Sequence, residues 1–364
     1  MSGPAILYVH DLRGSGVVTN AIALARRLGA ERKTILVAGY GKGLNRAVDV
    51  APARLAILSD APEPARARLA SARRLRRLIQ TSGARLVMSM GNYGHSTVFF
   101  ATRGMDVHTV YRISNEIGRP GAGFRSFRRR AWQKLLLATA DGIVLVGRAL
   151  AEQPLFAGAV KRGEAAYIPN GIDLKRAAAG AEGPSPHPWL DDGGPPVVLT
   201  IGRIHVQKNL DGLVEGAALA AEVRPLRLVI VGSGDAALRD RLTAQADERG
   251  LALLFAGETD NVFAWLGRAD LFALVSHWEG SSTALLEAIA VGAPVVASRQ
   301  AGDAAHVLDG GTYGRLVDAD DPASIAAGIV AQLDVPIRPG NRAEQFRLYR
   351  THQRYLDVLR ALGT

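Results

Sequence analysis

"SHWEGSSTALLEAIAVGAPVVAS" runs from Ser276 to Ser298, and the apolar run "LFALVS" (271–276) leads into it. It closes on a second apolar run, "PVVAS" (294–298). A short apolar run, a small-residue turn, a helical stretch and another apolar run make one strand–helix–strand unit of a parallel sheet. Ser281, Ser282 and Thr283 are favourable N-cap types, so a helix is predicted to start there. Glu279 then lies in the turn, and Glu287 lies within the first two helical turns. The Gly280-Ser281-Ser282-Thr283 step offers backbone N–H groups to an anion. A carboxylate accepts hydrogen bonds from sugar hydroxyls. One carboxylate on each side of such a turn suits a sugar, a diphosphate and a ribose laid in sequence. The plainer reading makes Glu287 a partner of the helix dipole and Glu279 a surface group.

The same unit recurs in both directions. Upstream are "ILYVH" (6–10), "TILVA" (34–38), "RLAIL" (54–58), "RLVMSM" (85–90), "HTVYRI" (108–113) and "GIVLV" (142–146). The second half holds "VVLTIG" (197–202), "RLVIVG" (227–232), "LALLFAG" (251–257) and "GRLVD" (314–318). Continuous apolar strands spaced by helices imply parallel sheets covered on both faces. The stretch 182–196, "EGPSPHPWLDDGGPP", has five prolines and three glycines and separates two such sets. Two doubly wound domains follow, and 364 residues are too many for one comfortable core. We place the first domain at 1–170 and the second at 171–340, with a last helix (342–362, in a segment 341–364) packing back on the first. In open α/β sheets ligands bind beyond the carboxyl ends of the strands, so the expected site is a cleft between the domains.

Composition narrows the chemistry. There is no cysteine, which excludes disulfides, thiolate metal sites and a cysteine nucleophile. No apolar stretch reaches the roughly 18 residues of a membrane span. No basic region precedes the first apolar run, so a signal peptide is not expected. These readings place the protein in the cytoplasm. The formal net charge is +10, which favours anionic partners. Arginines crowd the first 150 residues, notably in "FRSFRRRAWQKLL" (124–136). That stretch reads as an amphipathic helix, with Phe124, Phe127, Ala131 and Leu135 on one stripe and basic residues off it. Arg125, Arg128, Arg129 and Arg130 can then meet an anionic membrane surface. The ordinary alternative puts the stripe in the core. No nucleic-acid-binding motif is present, so no nucleic-acid partner is expected.

In "TIGRIHVQKNLDGLVEG" (200–216), Arg203 and Lys208 fall between a strand end and a helix start. Two cations and a helix N-terminus at one strand end suit a diphosphate.

These blocks together resemble the retaining glycosyltransferases of family 4, which have the GT-B fold and an E-x7-E motif. The resemblance rests on "EGSSTALLEAIAVGAPVVAS", "YIPNGID" (167–173), "GRIHVQKN", "RLVIVGSGDAALRDRL" and "LFAGETDNVFAWLGRADLFALVSHWEG". It covers nearly all of residues 165–333. It implies two Rossmann-like domains facing across a cleft, and transfer of a hexose-type sugar from a nucleotide-diphosphate sugar. The implied acceptor is lipid-linked or a polysaccharide, in bacterial cell-surface glycan biosynthesis such as that of lipopolysaccharide, at the inner face of the cytoplasmic membrane. By the same resemblance Arg203 and Lys208 hold the donor diphosphate, Glu287 binds the ribose hydroxyls and Glu279 faces the transferred sugar. Gly280, Ser281, Ser282 and Thr283 offer backbone groups to the donor. Gly202, Gly232, Gly257 and Glu258 lie along the donor, the last two near its base. In the first domain, Gly14 and Gly16 of "DLRGSGVVTN" approach the diphosphate, although the family more often has adjacent glycines and then an acid. His95 is a candidate beside the reacting sugar, and Asn115 and Glu116 are candidates for the acceptor side. No cofactor or metal is implied, because the cations take a metal's place.

Other readings stay open. A sugar-nucleotide epimerase shares the fold, and a non-catalytic nucleotide-sugar-binding scaffold would keep the donor residues. "VGSGDAA" (231–237) fits a dinucleotide fingerprint, but the next strand, "LALLFAG", ends without the required acid.

Overall fold

The computed structural model describes residues 3–12, 15–41, 48–60, 68–115 and 124–363. The chain divides into two compact units, Met1–Pro169 with Thr351–Thr364, and Asn170–Arg350.

The first unit is built on strands Ala5–Asp11 (β1), Thr34–Tyr40 (β2), Arg54–Ile57 (β3), Leu86–Ser89 (β4), His108–Ile113 (β5), Gly142–Leu145 (β6) and Ala165–Tyr167 (β7). They form one parallel sheet in the order β3-β2-β1-β4-β5-β6-β7. The central strands are mostly apolar and largely buried, because helices cover both faces. The helix Gly16–Gly29 follows β1, and Ser15 caps it by accepting from the Val18 amide at 3.3 Å. The serine that separates the two glycines therefore has a structural task.

The second unit carries Val197–Ile201 (β8), Arg227–Val231 (β9), Ala252–Gly257 (β10), Leu271–Leu274 (β11), Val295–Ser298 (β12) and Arg315–Val317 (β13). Their order is β10-β9-β8-β11-β12-β13, again all parallel. Leu199, Phe272 and Leu274 enter one face cluster, and Val198, Leu228 and Ala273 the other. This alternation is the period of a strand buried on both sides. In each sheet the strand order reverses once, between β1 and β4 and between β8 and β11.

The handover at the end of the chain differs from the sequence expectation. Residues 342–346 form a short 3-10 turn, and the regular helix is Leu348–Ala361. The turn stays with the second unit: Phe346 is buried in its core, the Leu348 amide donates to the Ile172 carbonyl at 2.9 Å, and Arg342 Nε donates to the Val307 carbonyl at 2.7 Å. Tyr355, Leu356 and Leu359 are buried in the core of the first unit.

Candidate active site

Lys208 and Glu279 stand on opposite sides of the strand reversal in the second sheet, where such sheets bind ligands. Lys208 ends a 3-10 turn after β8, Val206–Lys208. Asn209 then adopts the left-handed conformation (φ 51°) and donates to the Ala319 carbonyl at 2.7 Å before the helix Leu210–Val223. Glu279 lies in the turn after β11. Lys208 Nζ is 2.7 Å from Glu279 Oε1, and the two side chains are only 17% and 10% exposed. Ser276 Oγ also donates to Glu279 Oε1, at 2.9 Å, and Gln207 Nε2 donates to Glu279 Oε2 at 3.3 Å. Gln207 further donates to the Trp278 carbonyl at 2.9 Å. Ser298, at the end of β12, donates to the Ser276 carbonyl at 2.7 Å. Three donors thus fix one carboxylate, which in turn orients one ammonium. The ammonium keeps two further N–H groups for a ligand.

Arg203 is exposed and makes no hydrogen bond or ion pair with any described residue. Its guanidinium has no structural duty to give up on meeting an anion.

The turn after Glu279 leads into the helix Thr283–Ala290, and Ser282 caps it by accepting from the Leu285 amide at 3.4 Å. The amides of Gly280, Ser281 and Ser282 have no hydrogen-bond partner among the described residues. They are open donors at a helix N-terminus. Asn170, from the "YIPNGID" stretch, braces this turn by donating to the Ser281 carbonyl at 2.8 Å. Gly302 braces it from the other side. Its φ is +55°, and a Cβ there would stand 2.5 Å from the Glu279 carbonyl oxygen.

Glu287 is half-buried on the same helix, and its carboxylate makes no hydrogen bond with a described residue. Burial pushes its carboxyl up to about 7, against the opposing pull of the Arg176 charge. A half-buried acceptor with no donor among the described residues is a place where a ligand's hydroxyls are welcome.

Gly202, Gly232 and Gly257 follow or end the adjacent strands β8, β9 and β10. The Gly202 amide donates to the Val231 carbonyl at 2.9 Å, and the Gly232 amide to the Gly257 carbonyl at 2.7 Å. At Gly232 (φ +136°) a Cβ would fall 2.0 Å from the Gly202 oxygen, so no side chain fits. Ser233 Oγ donates to Glu258 Oε1 beside them.

In the first unit the predicted residues that are described follow β1, β4 and β5. Gly16 is the first residue of its helix. Gly14 and Glu116 lie outside the described residues, as do the side chains of Arg125, Arg129 and Arg130. Asn115 accepts at its carbonyl from Asn92 Nδ2 at 3.0 Å. His95 opens the helix His95–Thr102 but points into the core, at 5% exposure. Its Nδ1 is 2.8 Å from Ser89 Oγ, and its Nε2 is enclosed without a partner. Burial, aided by the Arg112 charge, pulls it down to about 3, so the ring is neutral. Sequence reasoning missed Gln207, Ser276, Ser298 and Gly302. Gly302 follows the end of β12, and that position was its only signal.

Two doubly wound parallel-sheet units, the second with cations, open amides and paired carboxylates at its strand reversal, define a GT-B protein. Two family profiles match, "Glycosyl transferase 4-like domain" over residues 11–171 and "Glycosyl transferases group 1" over residues 195–334. Together they span most of the chain, which belongs to the family 4 glycosyltransferases. It is 38% identical over 163 residues to a D-inositol 3-phosphate glycosyltransferase of Acidothermus cellulolyticus, covering 42% of this chain and 35% of that one. It is 28% identical over 223 residues to the lipopolysaccharide core biosynthesis mannosyltransferase LpsB of Rhizobium meliloti, covering 57% and 59%. The matched part is thus between about a third and three fifths of these relatives' length. Anabaena HepE, solved in complex with UDP and glucose, has the same fold, with a TM-score of 0.82 at 17% identity over 99% of this chain and 100% of that one.

Proposed function

We propose that the protein transfers a hexose-type sugar, with retention of configuration, from a nucleotide-diphosphate sugar to a lipid-linked or polysaccharide acceptor in the building of a bacterial cell-surface glycan. The observation that carries this reading is the Lys208–Glu279 pair beside the amides of Gly280–Ser282 and Arg203, which have no partner among the described residues. Such a constellation is made for charge that grows on a departing diphosphate. The acceptor hydroxyl attacks the anomeric carbon on the face the diphosphate leaves, and the hydroxyl proton passes to the departing phosphate oxygen. The protein needs no nucleophile for this route. Lys208 and Arg203 stabilise the leaving group, Glu279 faces the sugar, and Glu287 holds the ribose hydroxyls.

The acceptor side is read as membrane-proximal. The apolar stripe of the helix Phe124–Ala138 supports this, because Phe127 is 69% and Leu135 44% exposed, and Ala131 is exposed with them. Among the described side chains of that helix, Gln133 and Leu136 are buried. An outward apolar stripe with Arg128 beside it suits the headgroup region of an anionic bilayer. No helix of the described residues is long and apolar enough to cross a membrane.

The test is thermal unfolding with UDP-, GDP-, ADP- and dTDP-sugars. A true donor at 100 times its Kd adds about 2.7 kcal/mol of stability. Product analysis follows, with and without acceptor glycans, and the anomeric configuration is read by NMR. Stabilisation by none of the four would refute the reading. Sugar isomerisation without an acceptor would identify an epimerase instead.

A further inference from the structure

In the first sheet the strand order reverses between β1 and β4, so the crevice beyond their carboxyl ends is that unit's natural ligand site. Aromatic rings gather there. His10, near the end of β1, packs edge-on against Tyr40 at the end of β2, with centroids 5.0 Å apart. Tyr93, in the turn after β4, lies 6.0 Å from His10 at 33°. Tyr93 is 78% exposed, more than any other large apolar or aromatic side chain among the described residues.

The turn that carries it is nevertheless held firmly. Asn92 Oδ1 accepts from the Ser114 amide at 3.0 Å, and Asn92 Nδ2 donates to the Asn115 carbonyl at 3.0 Å. A Cβ on Gly91 would stand 2.9 Å from Val17 Cγ1, and one on Gly94 would stand 2.8 Å from Tyr8 Cδ1. A fixed backbone that holds a large ring out in water gains nothing from it within its own core. Asp11 adds polarity: it accepts from Tyr40 Oη at 3.2 Å, and an aspartate side chain can accept more than one hydrogen bond.

We propose that Tyr93, with His10 and Tyr40 behind it and Asp11 nearby, is a stacking subsite for a pyranose ring of the acceptor. The apolar C–H face of the sugar covers the exposed ring, and its hydroxyls donate to Asp11. A nucleotide would stack equally well on the ring, but the Asp11 carboxylate disfavours its phosphates. The choice of a sugar rests on the transferase reading above; the existence of a stacking site does not.

Saturation-transfer NMR on the full chain, with methyl glucopyranoside and methyl mannopyranoside as probes and no nucleotide present, tests this. The ring C–H protons of at least one glycoside should receive saturation from the wild type. The signal should fall about tenfold in Tyr93→Ala and survive in Tyr93→Phe, which keeps the ring face. The melting temperature of Tyr93→Ala should match the wild type, since the side chain is in solvent. No saturation of either glycoside, or an equal signal in Tyr93→Ala, would overturn the proposal. Donor stabilisation of the second unit does not involve Tyr93. If nucleotide sugars fail to stabilise the chain while Tyr93-dependent saturation persists, the transferase reading falls and the subsite stands.

Discussion

Lys208 Nζ lies 2.7 Å from Glu279 Oε1, so an ion pair links the loops on the two sides of the strand reversal. Replacing Lys208 with alanine removes a preorganised charge from the diphosphate and should lower kcat/KM for sugar transfer by roughly 10²–10³. It also leaves a largely buried carboxylate without its cation, which should cost about 1–3 kcal/mol in urea unfolding. Arg203→Ala should impair transfer in the same way yet leave folding within about 0.5 kcal/mol, because Arg203 bonds to no described residue. Full activity in Arg203→Ala would remove that residue from the donor site.

If Glu287 holds the ribose as proposed, its carboxyl, raised to about 7 by burial, should tie donor binding to pH. Only the ionised form accepts from both ribose hydroxyls, so donor affinity should rise from pH 6 to pH 8 and then level. For the protein alone the sign is opposite. The folded state keeps a proton that the unfolded chain, with its ordinary value of 4.5, has already released. Glu287 therefore stabilises fully below that value, and its contribution is lost as pH rises to and through about 7. Glu287→Gln should flatten both profiles, binding donor weakly at every pH while unfolding less readily than wild type at pH 8. Titration calorimetry and thermal melts across this range read the two effects, and a pH-independent donor affinity in the wild type would refute the assignment.

Gly302 and Gly310 both have positive φ, +55° and +66°, but only Gly302 is crowded. Gly310→Ala should cost the left-handed conformation alone, about 1–2 kcal/mol, and spare transfer. Gly302→Ala drives a methyl group into the Glu279 and Gly280 carbonyls. It should cost more and, in protein that still folds, depress kcat. Equal loss of activity in the two variants would mean that the turn holding Glu279 tolerates displacement.

The outward stripe of the helix Phe124–Ala138 predicts lipid dependence. Phe127→Ser with Leu135→Ser should abolish co-sedimentation with vesicles rich in anionic lipid. Arg128→Ala should weaken it about fivefold, as expected for about 1 kcal/mol per basic residue near the surface. Equal binding to neutral vesicles would point to the apolar stripe alone, and no binding by the wild type would refute the membrane reading.

Much of this was legible in the residues. Uninterrupted apolar runs place the strands, and the positions just after them hold Arg203, Lys208, Glu279 and the three aligned glycines. Period and spacing could not say which way a stripe faces. Phe127 and Leu135 were ambiguous until Gln133 and Leu136 were found to make the buried face. Nor could they find partners that carry no charge. Gln207 and Ser276 hold Glu279 through single hydrogen bonds, and one polar residue in a loop looks like any other. His95 shows the converse, since a polar residue after a strand reads the same in sequence whether its ring meets ligand or core.

The placement of residues 351–363 governs how the protein is made. Tyr355 Oη accepts from the fully buried Arg112 Nε at 2.9 Å, and its ring lies among the apolar side chains of the first unit. A ribosome delivers these residues only after it has finished the whole of 170–350. The later-encoded half can thus reach its native state while the earlier one still waits for its closing helix, with Arg112 lacking its phenolic acceptor. The first unit should therefore stay open to chaperones and proteases longer during synthesis than a first domain that needs no late-made segment.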